Sequence, residues 1–595
     1  MSFPWLVLQP VGLSPADEWV RLGFEAHAAG NLQRAESQYV RALGAEPNHA
    51  IATNNLGLLH VQAKLIHEAM QDMERATMFD PTHPVILANQ AFVLLVGDQP
   101  QQGLLAAKMA LFLSDKDLQG RHPVGELERA GYILSRQALA AAYASTGYAD
   151  KAAPLHAEVL ALNAINYGSG IASCFIPSLR DIGPEQALPP RAAWRAAHGW
   201  KGSILPHLND RDTERPLRIG YVSGDFKTHS ASMIFTQVLL NHSPACVPYF
   251  YATVQGDPDR DATCLRLMAS AGAIVEDEEN DGPPIKLESG HRWRDVSKLS
   301  FDDLDKLIRD DEIDVLVDLS GHTNAHRLSN FTRKPAPVQV TAWGFAVGTG
   351  LPEIDAFFAD PITVPSDERQ WYAEDVVYLP CIVTYRPPHE YGFPGTSPLP
   401  ARINERVTFG CFGRFEKMGD AYLSTVKEVL ERVPNSRAYF KGNEFRRPDN
   451  IRRVRDALGV DPERLLFGMA TPHMEHLKAY QMCDLFLDTF PHGMGQTILE
   501  CLYMGVPAVT LHGKQPPGRL ASSVFECIGR QEWITRTRAD YVEKAVAMAA
   551  DLDGLAACRK TLRKELLDSP VVTGYVEAVE LAYRWLWRKW CAKGE

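Results

Sequence analysis

The segment RIGYVSGDFKTHS, residues 218–230, places two titratable side chains just after an apolar run with the character of a β-strand. Asp225 and His229 are suited to proton transfer, because imidazole titrates near neutral pH and a neighbouring carboxylate can hold or receive a proton. A strand that delivers both residues into a cleft would supply an acid/base pair there. On these residues alone, a structural role for the loop histidine is the alternative.

A second segment, LDTFPHGMGQTILECLYMGVPAV at residues 487–509, has the pattern of a buried strand, a glycine-rich turn and the start of a helix. Gly493 and Gly495 let backbone N–H groups and a helix N-terminus converge on one point, which is how α/β proteins hold phosphate. The N–H groups around Gln496 and Thr497 would face that phosphate. The segment predicts a nucleotide-binding enzyme, with a purely structural turn as the alternative.

Composition narrows the class of protein. The chain has 595 residues, 45% hydrophobic and 23% charged, which predicts several globular domains. No apolar run approaches the ~20 residues that span a bilayer, and the start MSFPWLVLQPVG lacks the basic leading segment of a signal peptide, so we expect a cytoplasmic protein. The ten cysteines form no Cys-x-x-Cys pair, which argues against a disulfide framework or a zinc site. A net charge of −12 does not favour nucleic-acid binding.

The elements that precede these segments repeat. Large and small apolar positions recur about every 34 residues over the first 165 residues, the period of tetratricopeptide helix pairs. The first repeat is carried by Trp19, Leu22, Gly23, Gly30, Ala35, Tyr39, Ala42 and Pro47. A second repeat keeps the register, and a third and fourth keep it in part. Such arrays bind proteins more often than small molecules, although they also permit self-association, so a homo-oligomer is possible.

Asn55 and Asn89 occupy the same position of successive repeats. Because an amide side chain both donates and accepts hydrogen bonds, an in-phase pair could clamp the backbone of an extended polypeptide along the concave face. Two solvated polar residues on a helix are the alternative.

From about residue 213 the pattern changes to short β-branched runs that alternate with helical periodicity, which predicts parallel sheets of βαβ type. Strands are predicted at 217–222, 315–319 and 338–341, then at 407–412, 437–441, 484–488 and 508–511. The turn-rich stretch 387–401 separates the two sets. Two doubly wound, Rossmann-like domains facing a cleft are expected, with ligand at the carboxyl ends of the strands. Neither domain has a GxGxxG fingerprint or a Walker P-loop, which excludes the dehydrogenase and NTPase interpretations.

The domain boundaries follow from these changes of pattern. We expect repeats over residues 1–166, transition helices over 167–212, a first α/β domain over 213–392, a second over 393–570 and a C-terminal helix over 571–595.

From residue 218 onward the chain resembles a known family. The two segments above, together with DLSGHT at 318–323, RKPAPVQVTAWGF at 333–345 and SPVVTGYVEAVELAYRWLWRKW at 569–590, are similar to the protein O-linked N-acetylglucosamine transferases and the Spindly-like protein O-fucosyltransferases. Tetratricopeptide repeats before a two-domain GT-B glycosyltransferase are the architecture of that family. The resemblance implies inverting transfer of a sugar from a nucleotide donor to a Ser or Thr hydroxyl of a protein, without a metal ion or another cofactor.

The resemblance also implies roles for single residues. Lys417, in FGCFGRFEK, matches the family lysine on the donor diphosphate, and Gly495, Gln496 and Thr497 lie on the turn that holds the same group. His476 matches a histidine near the nucleoside base, and Glu500 a carboxylate near the ribose. His229 matches the histidine close to sugar and acceptor, with His322 behind it. The group that removes the acceptor proton stays open among His229, Asp225 and a donor phosphate oxygen.

Two departures from the family pattern touch the donor pocket. Gly413 and Arg414 replace an Asn-Gln pair, and Gly495, Gln496 and Thr497 replace a His-Thr-Thr turn. Because Arg414 adds a fixed charge that suits a phosphate or a carboxylate, an acidic sugar is an alternative to a neutral one.

The sequence therefore predicts a protein O-glycosyltransferase whose repeats recruit the polypeptide and whose preferred donor is UDP-N-acetylglucosamine. The alternatives for the donor are GDP-fucose, UDP-glucose or a CMP-nonulosonic acid, the last as in bacterial enzymes that modify flagellin. The rival functions are a repeat scaffold with an inactive transferase domain and an enzyme that glycosylates a lipid or a small molecule.

Overall fold

A computed structural model describes residues 5–10, 12–254, 261–273, 290–323, 325–385, 387 and 394–593 of the chain. The chain divides into two compact units, which we call the repeat unit (Met1–Ile176 with Arg447–Arg453) and the α/β unit (Pro177–Arg446 with Val454–Glu595). No helix in the described ranges combines the length and the apolar character needed to span a membrane.

The repeat unit is an array of antiparallel helix pairs. Its helices are α1 (Pro15–Ala28), α2 (Leu32–Ala45), α3 (Ala50–Gln62), α4 (Ile66–Phe79), α5 (Pro84–Val96), α6 (Pro100–Leu118), α7 (Glu126–Ser145), α8 (Ala149–Leu162) and α9 (Tyr167–Phe175). Close packing within the first pair requires glycine on α1, since a Cβ on Gly23 would lie 2.5 Å from Cε1 of Tyr39. The small-residue positions of the sequence repeat are thus the contact points of the helices.

The first half of the α/β unit is a parallel sheet with helices on its faces. After α10 (Pro184–Ala187) and α11 (Pro189–His198), its strands are β1 (Leu217–Ser223), β2 (Cys246–Ala252), β3 (Trp293–Asp295), β4 (Val315–Asp318), β5 (Val338–Thr341), β6 (Ala356–Ala359) and β7 (Asp375–Tyr378). Its helices are α12 (Ser230–Leu239), α13 (Ala262–Ser270), α14 (Phe301–Asp310) and α15 (Leu328–Phe331). The strand order is β3-β2-β1-β4-β5-β6-β7.

The second half repeats the plan. Its strands are β8 (Val407–Phe412), β9 (Ser436–Lys441), β10 (Leu465–Gly468), β11 (Leu485–Leu487), β12 (Ala508–Leu511) and β13 (Ile534–Thr535), in the order β10-β9-β8-β11-β12-β13. The helices from here to the end are α16 (Ala401–Asn404), α17 (Asp420–Arg432), α18 (Pro448–Leu458), α19 (His473–Tyr480), α20 (Gln496–Tyr503), α21 (Leu520–Cys527), α22 (Arg538–Ala550), α23 (Leu552–Asp568) and α24 (Tyr575–Ala592).

Helix α24 follows the second half in the chain and packs on the first sheet. Trp343 Nε1 donates to the hydroxyl of Tyr575 at 2.9 Å, and the hydroxyls of Tyr221 and Tyr583 lie 3.2 Å apart. The carboxylate of Glu580 accepts hydrogen bonds from the backbone N–H and the hydroxyl of Ser243. The C-terminal helix is therefore part of the first sheet's core.

The strands predicted from the sequence are all present. Those at 338–341, 407–412 and 508–511 have the predicted bounds, and the other four differ from them by one or two residues in total. The sequence reading missed β2, β3, β6, β7, β10 and β13. β3 and β13 are short strands at the edges of the sheets, and Pro248 interrupts the apolar pattern of β2. Residues 388–393 of the predicted linker lie outside the described residues.

Candidate functional site

Each sheet has one point where the chain reverses its direction of winding, between β1 and β4 in the first sheet and between β8 and β11 in the second. Ligands of doubly wound sheets bind at the carboxyl ends of the strands at such points. Asp225 and His229 follow β1, and Arg414 and Lys417 follow β8. The glycine-rich turn follows β11. The predicted chemical residues thus lie at the two switch points.

The turn after β11 is built around Asp488, which is buried. One carboxylate oxygen accepts the backbone N–H of Met494 at 2.8 Å, and the other accepts the hydroxyl of Thr510 at 2.6 Å. Burial raises the pKa of Asp488 to about 6, against the opposing effects of these hydrogen bonds and of Lys417. Asp488 therefore fixes the shape of the turn and supplies a negative partner to the lysine.

Lys417 is half-buried and ends a short 3-10 helix, Phe415–Lys417. Its Nζ donates to the carbonyl oxygen of Gly493 at 2.7 Å, which places the cation on the glycine turn. Burial, together with the charge of Arg414, lowers the pKa of Lys417 to about 7. An anion that binds beside Lys417 would stabilise the charged form of the side chain and raise its pKa.

Arg414 lies beside the lysine and forms an ion pair with Glu416, Nη1 to Oε1, at 2.9 Å. Its guanidinium is 55% exposed. Its charge lowers the pKa of Lys417 and also, with burial as the larger cause, the pKa of His229 and of His492. Arg414 therefore lies near Lys417 and His492 of the second half and near His229 of the first half.

The N-terminus of α20 is the last part of the candidate anion site. Because the helix begins at Gln496, the N–H groups of Gln496 and Thr497 have no partner within the helix. Gly495 is the N-cap and provides no side chain to cap them. A Cβ added at Gly495 would lie 3.8 Å from Cδ1 of Ile234 on α12, so the first half closes over this end of the helix.

His476 and Glu500 form a second cluster, one turn into α20. The carboxylate of Glu500 is buried and receives His473 Nε2 at 2.7 Å, His476 Nε2 at 3.2 Å and the hydroxyl of Tyr480 at 3.2 Å. Burial opposes ionisation, but the hydrogen bonds from both histidines hold the pKa of Glu500 far below its usual range. The carboxylate therefore anchors the two histidine rings.

The ring of His476 is fixed on both sides. Lys441 Nζ donates to its Nδ1 at 3.1 Å, so Nδ1 is an acceptor and the ring presents its Nε2 proton to Glu500. The ring centroid lies 5.9 Å from that of Phe412 and 5.3 Å from that of Tyr480. An oriented imidazole among aromatic rings suits a planar base.

His229 is the N-cap of α12. Its Nδ1 accepts the backbone N–H of Ala231 at 3.2 Å, and its own backbone N–H donates to the hydroxyl oxygen of Ser232 at 3.1 Å. Asp225 Oδ2 lies 3.7 Å from the same Nδ1. Because Nδ1 accepts, the neutral ring carries its proton on Nε2. In this arrangement the free nitrogen of His229 is a hydrogen-bond donor.

The structure places the remaining predicted residues elsewhere. His322 is fully buried, donates from Nε2 to the carbonyl oxygen of Thr349 at 2.8 Å, and packs edge-on against Trp194. Burial holds the pKa of His322 far below its usual range, so the ring is neutral. Asn55 and Asn89 are fully buried in the repeat unit.

Sequence reasoning missed three residues of the donor-side cluster: Asp488, His492 and Lys441. A signal for the first two exists, because DLSGH at 318–322 and DTFPH at 488–492 share the spacing of an aspartate and a histidine. In both segments the aspartate ends or follows a strand and the histidine is buried. No sequence pattern marks Lys441, whose partners are remote along the chain.

The α/β unit matches a family model. Residues 204–394 and 398–579 match the model described as glycosyl transferase family 41. The chain belongs to glycosyl transferase family 41. The resemblance to O-linked N-acetylglucosamine transferases and Spindly-like proteins is confirmed by this match and by the relatives below.

The family 41 chain is similar to plant proteins named probable UDP-N-acetylglucosamine–peptide N-acetylglucosaminyltransferase SPINDLY. It is 34% identical to the Arabidopsis thaliana protein over 396 residues, covering 65% of this chain and 41% of that protein. It is 32% identical to the Solanum lycopersicum protein over 392 residues, covering 64% of this chain and 40% of that protein. This chain thus spans about two fifths of the length of these relatives.

A solved structure extends the likeness to nearly the whole chain. A lysine-to-methionine mutant of the Thermobaculum terrenum O-GlcNAc transferase superposes with a TM-score of 0.69 at 28% identity, covering 98% of this chain and 100% of that one. The predicted fold, tetratricopeptide repeats followed by a two-domain GT-B glycosyltransferase, is confirmed.

Proposed function

We propose that this family 41 chain transfers N-acetylglucosamine from UDP-N-acetylglucosamine to Ser or Thr hydroxyls of a polypeptide recruited by the repeats, with inversion and without a metal ion. The observation that carries this proposal is the convergence of Lys417, Arg414 and the N-terminus of α20 on the glycine turn. His229 of the other half lies close enough for the charge of Arg414 to lower its pKa, although burial is the larger cause.

The departing diphosphate is the hardest part of such a reaction. Its charge grows as the sugar leaves, and a site stabilises it best with donors that are already in place. Lys417 is held on Gly493, and the N–H groups of Gln496 and Thr497 are fixed by the start of α20. These three donors take the role that a divalent cation has in other transferases.

The nucleoside would lie against α19 and α20. His476, oriented by Glu500 and Lys441, supplies a planar surface for the base. The oxygens of Glu500 already receive hydrogen bonds from His473, His476, Tyr480 and Gln496. We infer that Glu500 acts on the nucleoside mainly by positioning the two histidines.

The proton of the acceptor hydroxyl requires a base other than the free nitrogen of His229. That nitrogen carries a proton while Nδ1 accepts the N–H of Ala231. We assign His229 the role of donating a hydrogen bond at the sugar or acceptor. The two remaining candidates for the proton acceptor are Asp225 and a phosphate oxygen of the donor, and an anionic oxygen of either kind can take the proton.

A neutral sugar fits the site better than an acidic one. The charge of Arg414 is already balanced by Glu416 at 2.9 Å, so a carboxylate on the sugar would have to compete with that pair. The similar solved structure is named an O-GlcNAc transferase, which supports a neutral N-acetylglucosamine donor.

The first test is the thermal stability of the purified chain with UDP, GDP and CMP. We expect a selective increase in melting temperature with UDP, because a ligand that binds only the folded state stabilises it by about 2.7 kcal/mol at a hundred times its Kd. Transfer of radiolabelled sugar from UDP-N-acetylglucosamine to polypeptides then identifies the reaction. A shift with GDP alone assigns another donor, and no shift with any nucleotide favours a repeat scaffold.

A further inference from the structure

Residues 5–10 lie in the repeat unit as an extended strand across helices α3 and α5. The backbone N–H of Leu8 donates to Asn55 Oδ1 at 2.9 Å, and Asn55 Nδ2 donates back to the carbonyl oxygen of Leu8 at 2.7 Å. Leu6 makes the same pair of bonds with Asn89, at 3.1 and 2.9 Å. Each asparagine thus binds both polar groups of one residue, and the residue between them is skipped.

The two clamping amides are held in register by a third. Asn54 Nδ2 donates to Asn55 Oδ1 at 3.0 Å, and Asn89 Nδ2 donates to Asn54 Oδ1 at 3.0 Å. All three asparagines have no exposed surface. A buried amide network of this kind is rigid because every rotation breaks a hydrogen bond that water cannot replace. The three amides are therefore held in register while residues 5–10 cover them.

The side chains of the strand alternate, as an extended chain requires. Trp5 and Val7 pack against an apolar cluster of α3, α4 and α5 that includes Leu58, Met73 and Val93. Of the two clamped residues, Leu6 is 37% exposed, whereas Leu8 is buried. The groove therefore offers backbone clamps at alternate residues and an apolar floor for the residues between them.

The clamp is local to the second and third helix pairs. Each first helix of a pair ends in a turn with a left-handed residue, at Gly30, Lys64, Asp98 and Gly147. Counting back from those turns, the positions that match Asn55 and Asn89 are Arg21 and Ala138 in the first and fourth pairs. Neither side chain can both donate to and accept from a peptide group. The two asparagines clamp two residues of an occupant, and in the segment 5–10 these are Leu6 and Leu8.

We propose that residues 5–10 are an intramolecular occupant of this groove, and that an extended polypeptide with large apolar side chains at alternate positions binds there only by displacing them. The hydrogen bonds between the segment and the asparagines use backbone N–H and C=O groups of the segment, so any chain that can extend and place apolar residues on the floor can replace it. An acceptor polypeptide and residues 5–10 then exclude each other. The part that concerns acceptors rests on the function proposed above, whereas occupancy by residues 5–10 does not.

The tether gives the segment an advantage over a free polypeptide. A segment a few residues from the groove has an effective concentration on the order of millimolar. A polypeptide that binds the empty groove weakly is therefore displaced, and one that binds tightly, or at several points of the array, replaces the segment. Occupancy in cis selects acceptors that make contacts beyond the two clamps.

Proline substitutions test the occupant in the full chain. Leu6→Pro with Leu8→Pro removes both N–H donors to the asparagines and keeps the extended backbone. Gln9→Pro is the matched control, because Gln9 is exposed and its N–H is not among the clamped groups. The probe is a fluorescent synthetic peptide with the sequence WLVLQP and a solubilising lysine tail, and its binding is followed by anisotropy without any donor.

We expect the probe to bind the double-proline chain about tenfold more tightly than the unaltered chain, and the Gln9→Pro chain to behave as the unaltered one. Asn55→Ala with Asn89→Ala should abolish probe binding. Equal affinity for the unaltered and double-proline chains overturns the occupancy, and absence of binding to the double-proline chain overturns the site itself.

Amide hydrogen exchange gives a second readout. Peptides covering residues 5–10 should be protected in the unaltered chain and in Gln9→Pro, and exchange freely in Asn55→Ala with Asn89→Ala. Free exchange in the unaltered chain contradicts the occupancy. Neither probe binding nor amide exchange requires sugar transfer. Both can therefore test the occupancy in a chain that lacks transferase activity, and the transfer assay tests the proposed function independently.

Discussion

Lys417 holds its ammonium group where burial and the neighbouring Arg414 both disfavour charge, with Asp488 as a partial compensation. Its pKa of about 7 means that the side chain is charged on only part of the molecules near neutral pH. A bound diphosphate brings opposite charge and raises that pKa. Donor binding is therefore coupled to the uptake of a proton by Lys417.

The affinity for UDP-N-acetylglucosamine should fall as the pH rises above about 7. The charged lysine binds the donor, and its population decreases up to tenfold for each pH unit above the pKa of the empty site, until the higher pKa of the complex is reached. The sugar nucleotide is the right probe because its diphosphate does not titrate near neutrality. Calorimetry between pH 6.5 and 9 measures the slope.

Lys417→Arg should remove that slope, because guanidinium stays charged over this range. Lys427→Arg, on the exposed face of α17, is the matched control and should keep it. A slope that survives in Lys417→Arg would assign the proton to another group.

His229 combines two functions that a substitution can separate. Its ring caps α12, and its free nitrogen points away from the cap as a donor. His229→Asn should keep the melting temperature, because asparagine is among the best N-caps, and should lower kcat strongly. His229→Ala should lose both, with about 1 kcal/mol of stability lost with the cap.

Transfer assays and thermal melts on the two variants decide between the roles. If His229→Asn retains kcat, the imidazole only caps the helix. A pH profile that loses its acidic limb in His229→Asn would instead show that the ring is the proton acceptor, contrary to the tautomer assigned above.

At the scale of elements, the two halves of the α/β unit use the same device at their switch points. Asp318 follows the pattern of Asp488: it is buried, accepts the hydroxyl of Thr341 at 2.9 Å and accepts the backbone N–H of Gly321. Burial raises the pKa of each aspartate to about 6. Within the described residues, only the second copy, Asp488, lies beside a lysine, Lys417.

This duplication provides a matched pair of variants. Thr341→Val and Thr510→Val each remove one hydroxyl donor from a buried carboxylate, and each should lower the free energy of unfolding by about 1–3 kcal/mol. Thr510→Val should also reduce the stabilisation by UDP, because it raises the pKa of Asp488 and weakens the partner of Lys417. Thermal melts with and without UDP measure both effects. Equal loss of UDP stabilisation in the two variants would contradict the assignment of the donor site to the second half.

The elements also show what the sequence could and could not predict. The central strands were predictable because buried parallel strands are continuous apolar runs, whereas β3 and β13 are too short to form a pattern. The register of Asn55 and Asn89 follows from the repeat. Their occupant does not, since the run WLVL of residues 5–8 pairs with them only through tertiary contacts. Lys441 was missed for the same reason.

At the scale of the whole molecule, the proposed function separates recognition of a polypeptide from chemistry on a sugar. In the repeat unit, Asn55 and Asn89 bind backbone groups. In the α/β unit, Lys417 lies on the glycine turn, where its positive charge would bind the donor diphosphate. Binding that is equal in the ground state and the transition state changes KM and leaves kcat unaltered. The two units should therefore affect different kinetic constants.

Asn55→Ala with Asn89→Ala should raise KM for a polypeptide acceptor about tenfold or more, since up to four backbone hydrogen bonds are lost. Because residues 5–10 compete with the acceptor in the unaltered chain, the rise is measured against the chain with Leu6→Pro and Leu8→Pro. Stabilisation by UDP should stay unchanged, whereas Lys417→Met should lose it and leave binding of the polypeptide intact. Gln33→Ala, an exposed position of the first repeat, is the control for the array. An unaltered KM in the double asparagine variant would mean that acceptors reach the α/β unit without using the groove, and would assign the clamp to residues 5–10 alone.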